Sequence, residues 1–207
     1  GNGIRCVAKY VYDHGIVRKD HMSVETKSGI KQLELTVEDG KAVYVKVNMG
    51  EAVLKPSEIP VQAEGEDFIA RQIEAGGENY TVTCVSMGNP HCVVFTEGID
   101  GMDLEKTGPL FENHPLFPDR INTEFVEVLD DHTLKMRVWE RGSGETISCG
   151  TGTCAAAVAA VLNGHCPRGE EIEVRIRGGA LYDACLENGE VLMKGPATEV
   201  FQGEIEI

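Results

Sequence analysis

The apolar and polar positions of the chain follow two periods. Residues 153 to 162 are almost all Ala and Val. Ala has the highest helix propensity, and a helix with so little polar surface is a buried one. Gly164 stands after it, where a glycine caps a helix end. A second helix is predicted from about residue 4 to residue 13, with Arg5 and Lys9 on one side and hence less enclosure. Elsewhere apolar and polar residues alternate, which is the period of a half-buried strand. Such runs cover 23–26 and 171–176, and further strands are read at 78–86 and 92–96, with two more within 121–139 around Asp130-Asp131. Asp39-Gly40 and Asn188-Gly189 sit between alternating runs and predict hairpins. The proline-bearing stretches 54–60 and 109–118 read as loops.

These elements repeat. Gly1-Asn2-Gly3 precedes the first helix and Gly150-Thr151-Gly152 the second, and Gly15 and Gly164 follow them. Gly1 and Gly150, Gly3 and Gly152, Gly15 and Gly164, and Gly40 and Gly189 are each separated by 149 positions. Each half reads glycine turn, helix, strand, turn, strand, hairpin, strand, as a duplicated unit would. The expected class is α+β: two pseudo-symmetric β-rich lobes, each wrapped around a central helix. The lobe boundaries are set at 1–47 with a returning strand near 198–207, and at 48–197.

Composition narrows the function. Acidic residues outnumber basic ones 34 to 19, a net charge of -15, and no basic patch is present. Nucleic acid is therefore not an expected partner. No long apolar run suggests a membrane span. Seven cysteines without CxxC spacing fit free thiols in a reducing cytoplasm better than a disulfide framework or a zinc site, so no metal is expected.

The chemistry centres on Ser148-Cys149-Gly150-Thr151-Gly152. The first N–H groups of a helix are unpaired and carry roughly half a positive charge in sum. A thiol there is expected to have a lowered pKa, and a carboxylate docks on the same N–H groups. Most cysteines are simply small buried residues. The flanking glycines, which admit a ligand to the backbone, raise the functional reading above that one. By symmetry, the residue ahead of Gly1 is expected to be a cysteine as well. Two helix ends would then hold one carboxylate with a thiol on each face of the adjacent carbon, an arrangement suited to racemisation or epimerisation. No lysine pattern for pyridoxal phosphate is seen, so no cofactor is expected.

Four further blocks carry a specific likeness. Ser86-Met87-Gly88-Asn89-Pro90-His91-Cys92-Val93, Arg120-Ile121-Asn122-Thr123-Glu124-Phe125, Trp139-Glu140-Arg141-Gly142-Ser143-Gly144-Glu145-Thr146 and Ser148 to Ala155 resemble the signature blocks of the diaminopimelate epimerase family. Gly1-Asn2-Gly3-Ile4-Arg5-Cys6 resembles the end of that family's first cysteine block. The likeness implies a cofactor-independent two-cysteine epimerase interconverting LL- and meso-diaminopimelate, cytoplasmic and homodimeric. It implies Cys149 as one catalytic thiol, Glu140 as the group that tunes it, and His91 as the group that tunes the other thiol. It implies that Gly1, Asn2, Gly150 and Thr151 grip the reacting carboxylate, and that Asn89, Asn122, Glu140 and Arg141 bind the rest of the substrate. Arg suits a bidentate carboxylate clamp and Asn offers both donor and acceptor. For Glu140 and Arg141 the competing reading is a surface ion pair, which is weak, and for His91 a satisfied core histidine. The resemblance further implies that the first lobe is incomplete, lacking the first catalytic cysteine, and that this chain alone is inactive. Two alternatives are a proline racemase-like isomerase or dehydratase of the same fold, and a non-catalytic binding module.

Overall fold

The computed structural model describes residues 1–27 and 29–205. In chain order the elements are α1 (Asn2–Asp13), β1 (His21–Thr26), β2 (Gly29–Glu38), β3 (Lys41–Glu51), β4 (Arg71–Ala75), β5 (Glu78–Ser86), β6 (Pro90–Phe95), α2 (Leu104–Glu112), β7 (Asn122–Asp130), β8 (Thr133–Glu140), β9 (Gly144–Thr146), α3 (Gly150–Leu162), β10 (Glu171–Ile176), β11 (Gly179–Cys185) and β12 (Glu190–Pro196). The strands join in one sheet ordered β1-β2-β3-β12-β11-β10-β8-β7-β6-β5-β4, with β9 paired to β8. The class is α+β.

The repeat is visible in that order. α1-β1-β2-β3 and α3-β10-β11-β12 are the same unit, and the two copies meet where β3 pairs antiparallel with β12. Both predicted hairpins form. Asp39 and Gly40 (φ 48 and 75) turn β2 into β3, and Gly189 (φ 90) turns β11 into β12. Positive φ at these positions is what Asn-Gly and Asp-Gly turns supply. Both helices end as the sequence suggests, with Gly15 (φ 72) and Gly164 (φ 75) in the left-handed conformation just past the last turn.

The two helices differ in enclosure. In α3, every residue from Gly152 to Ala160 is buried, and the helix contacts β5 to β8 on one side and β10 to β12 on the other. Its Ala-rich surface lets the strands approach closely, and one apolar cluster gathers around it. In α1 only Arg5 and Ala8 are buried, and the helix rests on β2 and β3. A second cluster fills the space between α2 and the outer face of β4 to β8, with Phe111, Phe125 and Trp139 among its members.

Two expectations on the fold need correction. The stretch 109–118 is not all loop, because α2 runs through Pro109. Tertiary packing overrides the proline penalty there: Leu104, Gly108 and Phe111 are buried, and Gly108 lies against the Trp139 ring. The returning strand near 198–207 does not form. Residues 197–205 carry neither helix nor strand, the place beside β3 is taken by β12, and 206–207 lie outside the described residues.

Candidate active site

The site forms where the two helix tips touch. Cys149 is the N-cap of α3 and Gly1 the N-cap of α1, and neither helix has a side chain capping its free N–H groups. A Cβ placed on Gly1 would lie 3.0 Å from the Cα of Gly150, and one on Gly150 would lie 3.1 Å from the Cα of Gly1. Only glycines allow this approach, which explains why the turn repeats in both halves. Asn2 ties the tips together, its Nδ2 donating to the Ser148 carbonyl (3.2 Å) and to Ser148 Oγ (3.3 Å). Arg5 Nη2 donates in turn to Asn2 Oδ1 at 3.2 Å. A cavity of about 480 Å³ opens beside the junction, lined by Gly1, Gly88 and Thr151 and by Lys31 and Glu51.

Cys149 lies just behind this surface, 6% exposed. Its Sγ is 3.6 Å from Thr151 Oγ1. The expected lowering of its pKa is reversed. Burial pushes the thiol up to about 12, and the carboxylates of Glu124 and Glu140 add to the rise, while the Thr151 hydroxyl and the Gly152 N–H pull the other way. The magnitudes account for the outcome. A helix terminus contributes up to about 2 kcal/mol in a favourable, partly buried geometry. Burial shifts a titratable group by up to about 3–5 pKa units.

His91 and Glu124 form a buried pair beside Cys149. Both side chains are 0% exposed, with Nδ1 and Oε1 2.7 Å apart. His91 Nε2–H donates to Asn89 Oδ1 at 3.1 Å. The β6–β7 register sets His91 opposite Asn122, two positions from Glu124. Alternation along β7 puts Glu124 on the same face as Val126, which packs in the cluster around α3. A Cβ on Gly152 would lie 2.8 Å from Glu124 Oε1 and 3.2 Å from Cys149 Sγ, so the carboxyl and the thiol flank one glycine.

The remaining predicted residues divide. Glu140 Oε1 accepts from Thr146 Oγ1 at 2.5 Å, and its charge reaches Cys149. Arg141 Nη1 donates to the Asp119 carbonyl at 2.9 Å, and neither Glu140 nor Arg141 lines the cavity at the helix tips. Asn122 is 4% exposed and has both polar ends engaged with backbone, donating to the Pro90 carbonyl and accepting from the Arg141 N–H. In this arrangement it ties β6 to the turn after β8. Sequence reasoning missed Glu124, Arg5 and Glu112. Glu112 receives Trp139 Nε1–H, Gly142 N–H and Arg120 Nη1, and so anchors the turn that carries Arg141. Glu124 had one available signal: a charged residue in a run, Ile121 to Val126, that is buried throughout.

Among the described residues no group of three or more His, Cys, Asp or Glu side chains could hold a metal ion, and no helix is long and apolar enough to cross a membrane. All seven cysteines are unpaired thiols.

Comparison with known proteins agrees with the motifs. The diaminopimelate epimerase family profile matches residues 1–55 and 83–200. A diaminopimelate epimerase from Acetivibrio thermocellus is 56% identical over 208 residues, covering 100% of this chain and 74% of that protein. One from Agathobacter rectalis is 54% identical over 215 residues, covering 100% of this chain and 75% of that protein. Among solved structures, a probable proline racemase from Agrobacterium radiobacter superposes with a TM-score of 0.72 at 16% identity, over 100% of this chain and 67% of that one. A PhzF-family phenazine biosynthesis protein from Bacillus anthracis gives 0.66 at 15%, over 99% of this chain and 75% of that one. These last two share the fold. With the blocks around Asn89, Glu140 and Cys149 in place and relatives more than half identical across its whole length, the chain belongs to the diaminopimelate epimerase family.

Proposed function

We propose that this chain carries the thiol half of a cofactor-independent epimerase that interconverts LL- and meso-diaminopimelate. The observation that carries the reading is the meeting of the two helix N-termini at Gly1 and Gly150, with Cys149 capping one of them. The free N–H groups at both tips would receive the α-carboxylate and stabilise the charge that builds on it as the α-proton leaves. Cys149 would exchange a proton with one face of the α-carbon. In a longer chain, the residue ahead of Gly1 would serve the opposite face, and a cysteine is the expected occupant. Asn2, Thr151 and Asn89 would orient the substrate near the reacting carbon, and Arg141 its far end, once the lobes close on it. The lobes would divide near residue 47. His91, Glu140 and Asn122 would act by fixing charge and backbone around the thiols.

The same reading places the protein in the cytoplasm, which seven unpaired thiols favour. It takes a small molecule as its partner and assembles as a homodimer, for which the support is the family resemblance.

The test is conversion of LL-diaminopimelate to the meso form by the complete gene product and by its Cys149→Ala variant. The complete product is expected to turn over, and the variant to lose at least about a thousandfold in kcat, as removal of a proton-transferring group does. A Cys149→Ala variant that retains full activity overturns the proposal. Turnover of proline in place of diaminopimelate would favour the proline racemase-like alternative.

A further inference from the structure

Glu124 is a carboxyl group buried to 0% exposure, with one oxygen against His91 and the other, Oε2, without a hydrogen-bond partner among the described residues. A buried, half-satisfied carboxylate costs free energy, so its retention calls for a function. We propose that Glu124 and His91 act as a one-proton reservoir for Cys149, with Glu124 as the positioning residue that receives the thiol proton inside the protein. The inference rests on the reading of Cys149 as the reacting thiol.

The geometry supports it from two sides. With Nε2–H donating to Asn89 Oδ1, His91 Nδ1 faces Glu124 Oε1 at 2.7 Å, a contact that one proton held between the two atoms would satisfy. Glu124 Oε1 and Cys149 Sγ lie 2.8 and 3.2 Å from the position that a Cβ on Gly152 would take. Among the described residues, two further titratable groups bear on the pair and the thiol. Glu140 from β8 bears on both Glu124 and Cys149, and Cys92, on the opposite face of β6, is held protonated in part by the Glu124 charge. Burial pushes the Glu124 carboxyl up and the neighbouring His91 pulls against that rise, so the buried carboxyl binds a proton more tightly than a free one.

The step balances. The S–H bond of Cys149 breaks and an O–H bond forms on Glu124, while the proton already shared by the pair settles on His91 Nδ1. The three groups then hold a thiolate, a neutral carboxyl and an imidazolium. Their total charge is unchanged, and the reverse step restores the thiol. Loss of the same proton to bulk water would leave net charge in a buried site, which is why that route is displaced to high pH.

The two routes differ in pH dependence, and alkylation separates them because the thiolate is the nucleophile. The probe is iodoacetamide on the 207-residue chain, with modification of Cys149 followed by peptide mass spectrometry from pH 6 to 10 and exposed Cys6 as reference in the same digests. The wild-type rate is expected to be level from pH 6 to 8, since internal transfer does not depend on bulk pH, and to climb above that. Glu124→Gln is expected to lose the level region and react at least about tenfold more slowly at pH 6.5, keeping the steep rise at high pH. His91→Gln, which removes the site of the second proton, is expected to do the same and carries the test if Glu124→Gln does not fold. A wild-type rate that rises tenfold per pH unit throughout overturns the proposal, as does a level region that survives in a folded Glu124→Gln. The profile needs no substrate, so its failure is distinct from a failure of the epimerase assay.

Discussion

Single residues show how far burial outweighs local chemistry in this chain. Cys149 has the sequence context of an activated thiol, yet burial and two carboxylates hold its proton more tightly than a free thiol would. Asp183 is a second case. It is fully buried on β11, accepts from Cys154 Sγ at 3.3 Å through Oδ1, and has no hydrogen-bond partner for Oδ2 among the described residues. Burial pushes its carboxyl up to about 7, against the pull of Thr153, Cys154 and Arg5, with Glu171 adding to the rise. The folded state therefore holds this proton more tightly than the unfolded chain, whose Asp value is about 3.9. The stability so contributed is full below pH 4 and is lost as pH rises through 7. Asp183→Asn keeps the shape and cannot ionise. Its Tm is expected to exceed wild type by roughly 5 °C at pH 8, with the gap closing toward pH 5. Equal melting curves at both pH values would show that Asp183 ionises freely in the fold.

At the scale of elements, pattern and packing divide the work. Strands with clean alternation and turns with Asp-Gly or Asn-Gly were legible, because their period and backbone conformation are local properties. The buried helix was legible because Ala and Val left it no polar face. α2 was not, since Pro109 argues against a helix and only the fit of Gly108 on Trp139 argues for one. A Cβ on Gly108 would lie 2.2 Å from Trp139 Cδ2 and 2.4 Å from Cγ. Gly108→Ala thus sets a gain in helix propensity of about 1 kcal/mol against overpacking of about 1–3 kcal/mol and a displaced indole. The contact is with ring atoms whose Nε1 is fixed to Glu112, so the ring has little room to yield. Denaturant unfolding is expected to show a net loss of about 1–2 kcal/mol. The emission of the chain's single tryptophan should shift as well. A stabilised variant with unchanged fluorescence would mean that the ring moves aside freely.

At the scale of the whole molecule, two copies of one unit, α1-β1-β2-β3 and α3-β10-β11-β12, meet at two places, the β3–β12 ladder and the contact of the helix tips, with β4 to β9 and α2 between them in the chain. The constant offset of glycines made the duplication legible, and the glycines at its origin mark where the copies touch. The chemistry between the copies was harder to read, because Glu124, Arg5 and Glu112 act through neighbours distant in sequence and belong to no local pattern. The tip contact is also where architecture and activity meet. Gly150 faces Gly1 Cα, Met193 sulfur and Asn2 Oδ1 at 3.1, 3.0 and 3.4 Å from the position a Cβ would take. The methionine end yields to a methyl group, but the opposing backbone can yield only by moving a helix. Gly150→Ala therefore trades a helix-propensity gain of about 1 kcal/mol for a small separation of the tips, leaving stability nearly unchanged. Activity does not share that compensation. Donors that converge on one carboxylate lose much of their effect when displaced by a fraction of an ångström to 1 Å, and a loss on the order of a hundredfold follows from misplacement of that size. The complete gene product carrying Gly150→Ala is expected to melt within about 3 °C of wild type. Its kcat for diaminopimelate is expected to fall by about tenfold to a hundredfold. Unchanged kcat in that variant would show that the two helix tips need not touch for the reaction to proceed.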